Sequence, residues 1–462
     1  MRHFLFHNFR FIFALDRWIR LRFTKAGRLV LGSLIAAGVF SVDAQQTLAY
    51  QLFSLLLALL LLAMLSSRFF RVRLTVQRDL PQFATEGETL HYQVQVLNHT
   101  HKLQRSLTLI DNVKWHPPSF ETFLQAKEPG HEKRNWFDNY VGYPRWLWLM
   151  KRRKGAEIAE QTLPPIPPFF LNQYEKPQQA NASYSNFEAS LTLKMTLTPL
   201  RRGYVHFTSM TFTRPDPSGL FNALYTIDLP DSLLVLPKRY PVGSLSLSGT
   251  QKYQRGGVQL AMSVGDAEEF VSLREYRPGD PLRQIHWKSW AKVGKPIVKE
   301  CHEEFFVRHA LILDTFTQQA HGDLFEDAVS VAASFATAKR SQDVLLDLMF
   351  VGTQAYCLTT GRGVGQTDKL LEVLACVEAC TDHPFSQLYP LVMAHLASLS
   401  GCLCILLNWD ESRQHLVQLL QNAGIPILGV VISQTELEID HNRFPQVHVL
   451  QVNAIAEELS QL

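Results

Sequence analysis

The chain has 462 residues, 46% of them hydrophobic and 19% charged, with a formal net charge of +3. That length supports two or three domains, each with its own core, and the apolar fraction excludes a disordered chain. So small a charge leaves no electrostatic footprint of a nucleic-acid binder.

Residues 1–28 form a basic segment, with seven Lys or Arg against the single acid Asp16. Residues 29–66 are expected to form two transmembrane helices. Leu29–Val42, "LVLGSLIAAGVFSV", and Leu48–Leu65, "LAYQLFSLLLALLLLAML", carry no charge. The second is long enough for a bilayer core, which takes roughly 17–25 residues. The first spans if Arg28 snorkels to the interface; otherwise it is re-entrant, or the second is a lone span. The short connection "DAQQT" implies a tight hairpin. Arg17, Arg20, Arg22, Lys25 and Arg28 lie before the hairpin and Arg68, Arg71 and Arg73 after it, with no basic residue between. The positive-inside rule then places both flanks and the soluble domains in the cytoplasm of a multi-pass inner (plasma) membrane protein. No small-residue cleavage site separates the two segments, which argues against a signal peptide.

From residue 72 to 245 the pattern becomes alternating. "RVRLTVQRDL", "TLHYQVQVLNHT", "SLTLIDNV", "ASLTLKMTLTPLRRG" and "YVHFTSMTFTRPDP" read as short strands of an antiparallel β-sandwich. An excursion at 128–173 interrupts it with Trp136, Tyr140, Tyr143, Trp146 and Trp148, then "KRRKG" and "LPPIPPFF". Two readings stay open: aromatics and Lys151–Lys154 lying on membrane lipid, or an aromatic cluster packing on its own domain.

Residues 301–462 alternate buried-type strands ("HALILD", "DVLLDLMFV", "CLCILLNW", "IPILGVVIS", "VHVLQV") with helical stretches, as in a doubly wound, mostly parallel α/β sheet. All six cysteines lie in this last third, from Cys301 to Cys404. Their apolar setting makes them small buried thiols rather than metal ligands or a secreted disulfide framework. Cys376 and Cys380 are expected on one helix, Cys402 and Cys404 on one strand. Ligands of such sheets sit at the carboxyl ends of strands. The first strand ends at Asp314, where a von Willebrand factor A domain holds a divalent metal through Asp-x-Ser-x-Ser. Here Phe316 and Gln318 occupy the next two ligand positions, so the metal site is degenerate and no metal or other cofactor is expected.

The segment 246–300 contains "LREYRPGDPLRQIHWKSWAKVGKPIVKE" (Leu273–Glu300). Asp280 suits a helix N-cap, Pro281 the first helical position and Gly294 the C-cap, with "KPIVKE" returning as a strand. On that helix Leu282, Ile285 and Trp290 can face a core, while Arg283 and Trp287 share a face and stack. Four readings compete. The first is a polar network of Arg274, Glu275, Asp280 and Arg283 that ties the sandwich to the α/β domain. The second is a partner surface with Trp287, Trp290 and basic residues as anchors. The third is an anion or nucleotide site using Gly279, Arg283 and the helix N-terminus. The fourth is catalysis by His286 and Asp280, six residues apart and without an evident nucleophile.

Three passages together resemble one family: "LRRGYVHFTSMTFTRPDPSGLFNALYTIDLPDSLLVLPKRY", the Arg-Glu-Tyr-x-x-Gly-Asp and Arg-x-Ile-x-Trp segment, and "HALILDTF". The chain resembles domain-of-unknown-function family 58 (DUF58), membrane proteins associated with MoxR-type AAA+ ATPases. The resemblance implies a multidomain fold with an N-terminal transmembrane hairpin, a β-sandwich and a von Willebrand factor A-like C-terminal domain. It carries no established activity. It implies a non-enzymatic, membrane-anchored adaptor or assembly factor that binds membrane lipid and a protein partner such as a MoxR-type ATPase, and no nucleic acid. The signature positions are Arg274, Tyr276, Gly279, Asp280, Arg283, Trp287 and Lys288. Two alternatives are a membrane-surface hydrolase or nucleotide-binding protein, and a divalent-metal adhesion domain centred on Asp314.

Overall fold

The computed structural model describes residues 2–40, 47–100, 102–115, 117–126, 128, 130–131, 134–168, 191–243, 270–278, 280, 282, 285–301, 307–317, 322–338, 344–361, 364–434 and 437–462. Gly279, Pro281, Arg283 and Gln318 lie outside them, as do all of the 246–269 stretch and the end of the Pro-rich run. The chain divides into two compact units, Met1–Pro237 and Lys238–Leu462.

The first unit opens with three helices: α1 (Arg2–Arg22), α2 (Lys25–Phe40) and α3 (Thr47–Ser67). The basic N-terminus is thus a long helix, although the charge count alone predicted none. Its Phe6, Phe9 and Phe13 recur at helical spacing and form one packed stripe. Leu48–Ser67 is, among the described residues, the one helix long and apolar enough by composition to cross a membrane. With 16 residues, α2 falls short of the usual span length. It packs along α3, where Gly38 lies against Phe53.

Two sheets follow. One has the order β1 (Leu74–Asp79), β3 (Leu90–Asn98), β7 (Leu191–Pro199), β5 (Ala156–Ile158). The other runs β2 (Phe83–Thr85), β9 (Asn222–Leu236), β8 (Gly203–Pro215), β4 (Thr108–Val113), β6 (Gln161–Thr162). Neighbours are antiparallel except β2 and β9. Alternation makes the core: β1 buries every second residue, and Val94, Val96 and Leu193 of one sheet share a cluster with Phe207, Phe212 and Leu233 of the other. Each such side chain contributes roughly 1.5–3 kcal/mol of burial. Inside that cluster, Asp111 accepts from Arg78 Nη2 at 2.6 Å and from the Tyr92 hydroxyl at 2.7 Å, and Arg78 lies over the Phe207 ring.

α4 (Phe120–Gln125) precedes the excursion, which forms α5 (Trp136–Val141) and α6 (Tyr143–Arg152). Trp146, only 2% exposed, packs edge-on against Phe6 of α1 with ring centroids 5.5 Å apart. Beside it, Glu128 accepts from buried Arg145 at 3.1 Å. Part of the aromatic run is therefore a core shared with α1. Trp136 and Phe137 stay exposed.

In the second unit β10 (Phe270–Glu275) and β11 (Ile297–Cys301) form an antiparallel ribbon, with α7 (Trp287–Val293) between them in sequence. A six-stranded sheet follows, ordered β14 (Ala355–Thr360), β13 (Val344–Val351), β12 (Val307–Leu313), β15 (Gly401–Leu406), β16 (Ile427–Ser433), β17 (Val447–Gln451). All its pairs are parallel except β13 with the edge strand β14. Its helices are α8 (Asp323–Thr337), α9 (Val364–Cys376), α10 (Leu388–His395), α11 (Glu411–Asn422) and α12 (Ile455–Gln461). β15 is buried on both faces, which is why "CLCIL" shows no alternation. Cys402 and Cys404 are buried there as expected, but two cysteine expectations fail. Cys376 is exposed at the end of α9, and Cys380 lies past that helix, bridged to Phe316.

Candidate functional site

The signature segment folds as a pinned ribbon rather than as the expected capped helix. Ile285 bridges Val298 and the His286 N–H donates to the Ile297 carbonyl at 2.8 Å. These contacts hold 285–286 extended beside β11, so α7 starts only at Trp287 and Asp280 is not its N-cap. Asp280 instead accepts two hydrogen bonds from Arg274, at 2.7 and 2.8 Å, and one from the Arg277 N–H at 2.8 Å. The Arg274 hydrogen bonds and that backbone donor pull its carboxyl down to about 2. Gly294 ends α7 in the left-handed region (φ 78°), the expected C-cap.

The other signature positions spread along this ribbon. Tyr276 donates its N–H to the Pro296 carbonyl at 2.9 Å, which continues the pairing of β10 and β11. The Glu275 carboxylate accepts from Lys295 at 3.2 Å, and its backbone carbonyl accepts from Arg274 Nη1 at 3.3 Å. Trp287 is 64% exposed and stacks on Trp290 at 5.1 Å between centroids; the expected stack on Arg283 lies outside the described residues. Ile285 and Val298 are buried, whereas Leu282, expected toward a core, is 68% exposed. Leu282, Trp287 and Val293 thus present apolar surface among the exposed Lys288, Lys292 and Lys295. His286 Nδ1 lies 2.6 Å from Ser289 Oγ, and Asp280 does not join them, being committed to Arg274.

The second place of interest is Asp314, at the carboxyl end of β12. β13 and β15 flank β12 on opposite sides, so the strand order reverses here and a ligand crevice is expected. The position is filled by the chain itself. Arg413 of α11 donates to Asp314 through Nε at 2.9 Å and Nη2 at 3.2 Å, and through Nη2 to the Phe316 carbonyl at 3.1 Å. Backbone N–H groups of Leu407 and Phe316 also donate to Asp314. Arg413 is held in turn by Asp410 and by the Phe385 ring, 4.5 Å from its guanidinium carbon. Burial pushes the Asp314 carboxyl up, against the pull of Arg413 and the two backbone donors. No cluster of three or more metal-ligating side chains occurs among the described residues. Sequence reasoning missed Arg413, which lies 99 residues from Asp314.

A third feature gives a structural meaning to the Asp-Pro-Ser-Gly-Leu-Phe motif. Asp216 accepts from the N–H groups of Ser218, Leu220 and Phe221 and from the Ser218 hydroxyl, shaping a tight turn. That turn grips the α1–α2 junction. Thr24 Oγ1 donates to the Gly219 carbonyl at 2.6 Å and the Thr24 N–H to the Leu220 carbonyl at 3.1 Å. Asn222 Nδ2 donates to the Leu21 carbonyl, and Phe23 and Phe221 meet edge to face.

Residues 272–387 match the family model described as "Protein of unknown function DUF58". The match supports the DUF58 resemblance and takes in both the pinned ribbon and Asp314. An uncharacterized protein, YeaD of Bacillus subtilis (strain 168), is 26% identical over 205 residues, 44% of this chain. The chain's match spans about half (49%) of that relative's length. A crystal structure of a Salmonella alpha-2-macroglobulin mutant aligns at 12% identity over 41% of this chain and 9% of that one. Its TM-score is 0.19, too low to bear on the fold.

Proposed function

We propose that the protein is a membrane-anchored, non-enzymatic adaptor or assembly factor that docks a protein partner through the exposed face around Trp287 and Lys288. The carrying observation is that ribbon. Its apolar and basic side chains point to solvent while Ile285, Val298 and the Arg274–Asp280 pair hold it in shape. Exposed Trp among cations is the composition of an interface anchor. The DUF58 resemblance makes a MoxR-type AAA+ ATPase the partner class to try first. The apolar α3 supports the anchor. α2 packed along it supports the two-span hairpin, and the basic flanks support cytoplasmic soluble domains. The parallel sheet with Asp314 at its reversal point supports a von Willebrand factor A-like reading of the second unit, in which Arg413 would take the place of the metal.

The test is co-purification in mild detergent with cross-linking. Wild type should recover one partner repeatably, and Trp287→Ala with Lys288→Glu should lose it while melting normally. Recovery that survives this change would sink the docking face. The second reading, a surface hydrolase, is favoured by the His286–Ser289 contact. It requires Ser289 to label with a serine-directed phosphonate, and absence of labelling discards it.

A further inference from the structure

α1 is apolar on two faces. Phe6, Phe9 and Phe13 pack into the excursion with Phe123 and Trp146. Roughly half a turn around the helix, Phe4, Phe11, Leu15 and Trp18 form a second stripe that the described residues leave uncovered, at 66%, 66%, 42% and 46% exposure. Four large apolar side chains in one exposed row on a helix mark an interaction surface rather than scattered surface residues. The remaining α1 surface is cationic, with five arginines against Asp16 alone.

The fold indicates what covers the stripe. Ile19 of α1 and Phe23 share a cluster with Leu60 and Ala63 of α3. Leu60 lies about 10 Å from the helix end at Ser67, counting 1.5 Å per residue. The carboxyl end of α1 is thus fixed at the depth where the apolar span ends. There Arg17 and Arg20 of α1 and Arg68 and Arg71 after α3 are exposed, as is Phe69. The turn of Asp216 locks this junction, so α1 cannot swing away from the span without breaking the clamp.

We infer that α1 lies in the plane of an anionic bilayer, with Phe4, Phe11, Leu15 and Trp18 inserted at the headgroup–acyl boundary and the exposed Arg10 and Arg17 beside the stripe on lipid phosphates. An amphipathic helix in this position sinks its apolar face about 5–10 Å into that boundary, and cations near an anionic surface add electrostatic attraction. The contact gives the protein a second hold on the membrane and orients the α1-packed excursion against it. The inference rests on the reading of α3 as a membrane anchor.

The experiment reconstitutes the full chain in nanodiscs of phosphatidylcholine and phosphatidylglycerol, with and without acyl-chain bromination. The emission of Trp18 is obtained as the difference between wild type and Trp18→Phe. Bromination should quench most of that difference, and a Trp introduced as Phe11→Trp in the Trp18→Phe background should be quenched likewise. Unquenched emission at both positions overturns the inference. So does a stripe covered by a second copy, which would appear as a detergent-stable dimer lost in the triple variant Phe4→Ser, Phe11→Ser, Leu15→Ser. Alkaline carbonate extraction of membranes separates the two levels. A wild-type chain that washes off refutes the anchor reading itself, whereas a retained chain with unquenched Trp18 refutes only the placement of α1.

Discussion

Gly27, at the start of α2, sits so close to Leu220 that a Cβ added to it would lie 1.9 Å from the Leu220 carbonyl oxygen. That oxygen already accepts the Thr24 N–H, so it cannot retreat without losing a clamp hydrogen bond. The obstacle is backbone rather than the end of a flexible side chain, and only glycine fits. The Asp216 turn and the helix junction are therefore one unit, although they lie almost 200 residues apart in the chain.

Gly27→Ala should consequently cost at least the ~1–3 kcal/mol typical of overpacking. Thermal melting in detergent should fall, and limited proteolysis should open the chain near residue 24 first. An unchanged melt would mean that the junction is not clamped. Thr24→Val, which keeps the size but removes both the hydroxyl bond to Gly219 and the one it accepts from the Gly27 N–H, should cost about 1–2 kcal/mol.

Arg413→Ala should destabilise the second unit by about 3–5 kcal/mol, because it leaves the Asp314 carboxyl fully buried without its countercharge. Pairing Arg413→Met with Asp314→Asn should recover most of this loss, since neither partner then needs the other. Urea melts give the comparison. A double variant no better than Arg413→Ala would show that packing, rather than charge, is what the arginine supplies.

The same logic applies to the sandwich. Arg78 and Asp111 have side chains that are 1% and 0% exposed, and Tyr92 completes the group. Arg78→Met should cost about 3–5 kcal/mol, and Tyr92→Phe only about 1 kcal/mol for a single hydrogen bond. Because the three groups touch, the double variant should depart from the sum of the two single variants.

Asp280 should give the ribbon a pH response. Its folded pKa of about 2 lies below the ordinary carboxylate value near 4, so the folded state binds that proton more weakly than the unfolded one. The stabilisation is complete above the unfolded pKa and is lost as pH falls through about 2. Protection factors of the 274–280 amides, corrected for the intrinsic pH dependence of exchange, should fall over that window in wild type but show no such step in Asp280→Asn. A fall beginning above pH 5 would contradict the assignment.

Much of the architecture was legible from residue order alone, because short-range chemistry writes it. The alternation of "LTVQRD" and "LHYQVQVLN" gave strands, the uncharged run from Leu48 gave a helix long and apolar enough by composition to span, and Gly294 marked a helix end. The conspicuous motifs were also visible as motifs, but their roles depend on partners distant in sequence. Asp280 looked like an N-cap until β11 drew Ile285 and His286 into an extended run and left the carboxylate to Arg274. Trp146 stood open between lipid and its own domain until folding placed it ring to ring with Phe6. Asp314 looked like a spoiled metal ligand, and nothing nearby in the chain announced that Arg413 fills the space beside it. Periodicity and charge depend on neighbours a few residues apart, so the sequence by itself settled the elements. Which buried charge meets which countercharge depends on where strands and helices cross, and only the tertiary structure decided that.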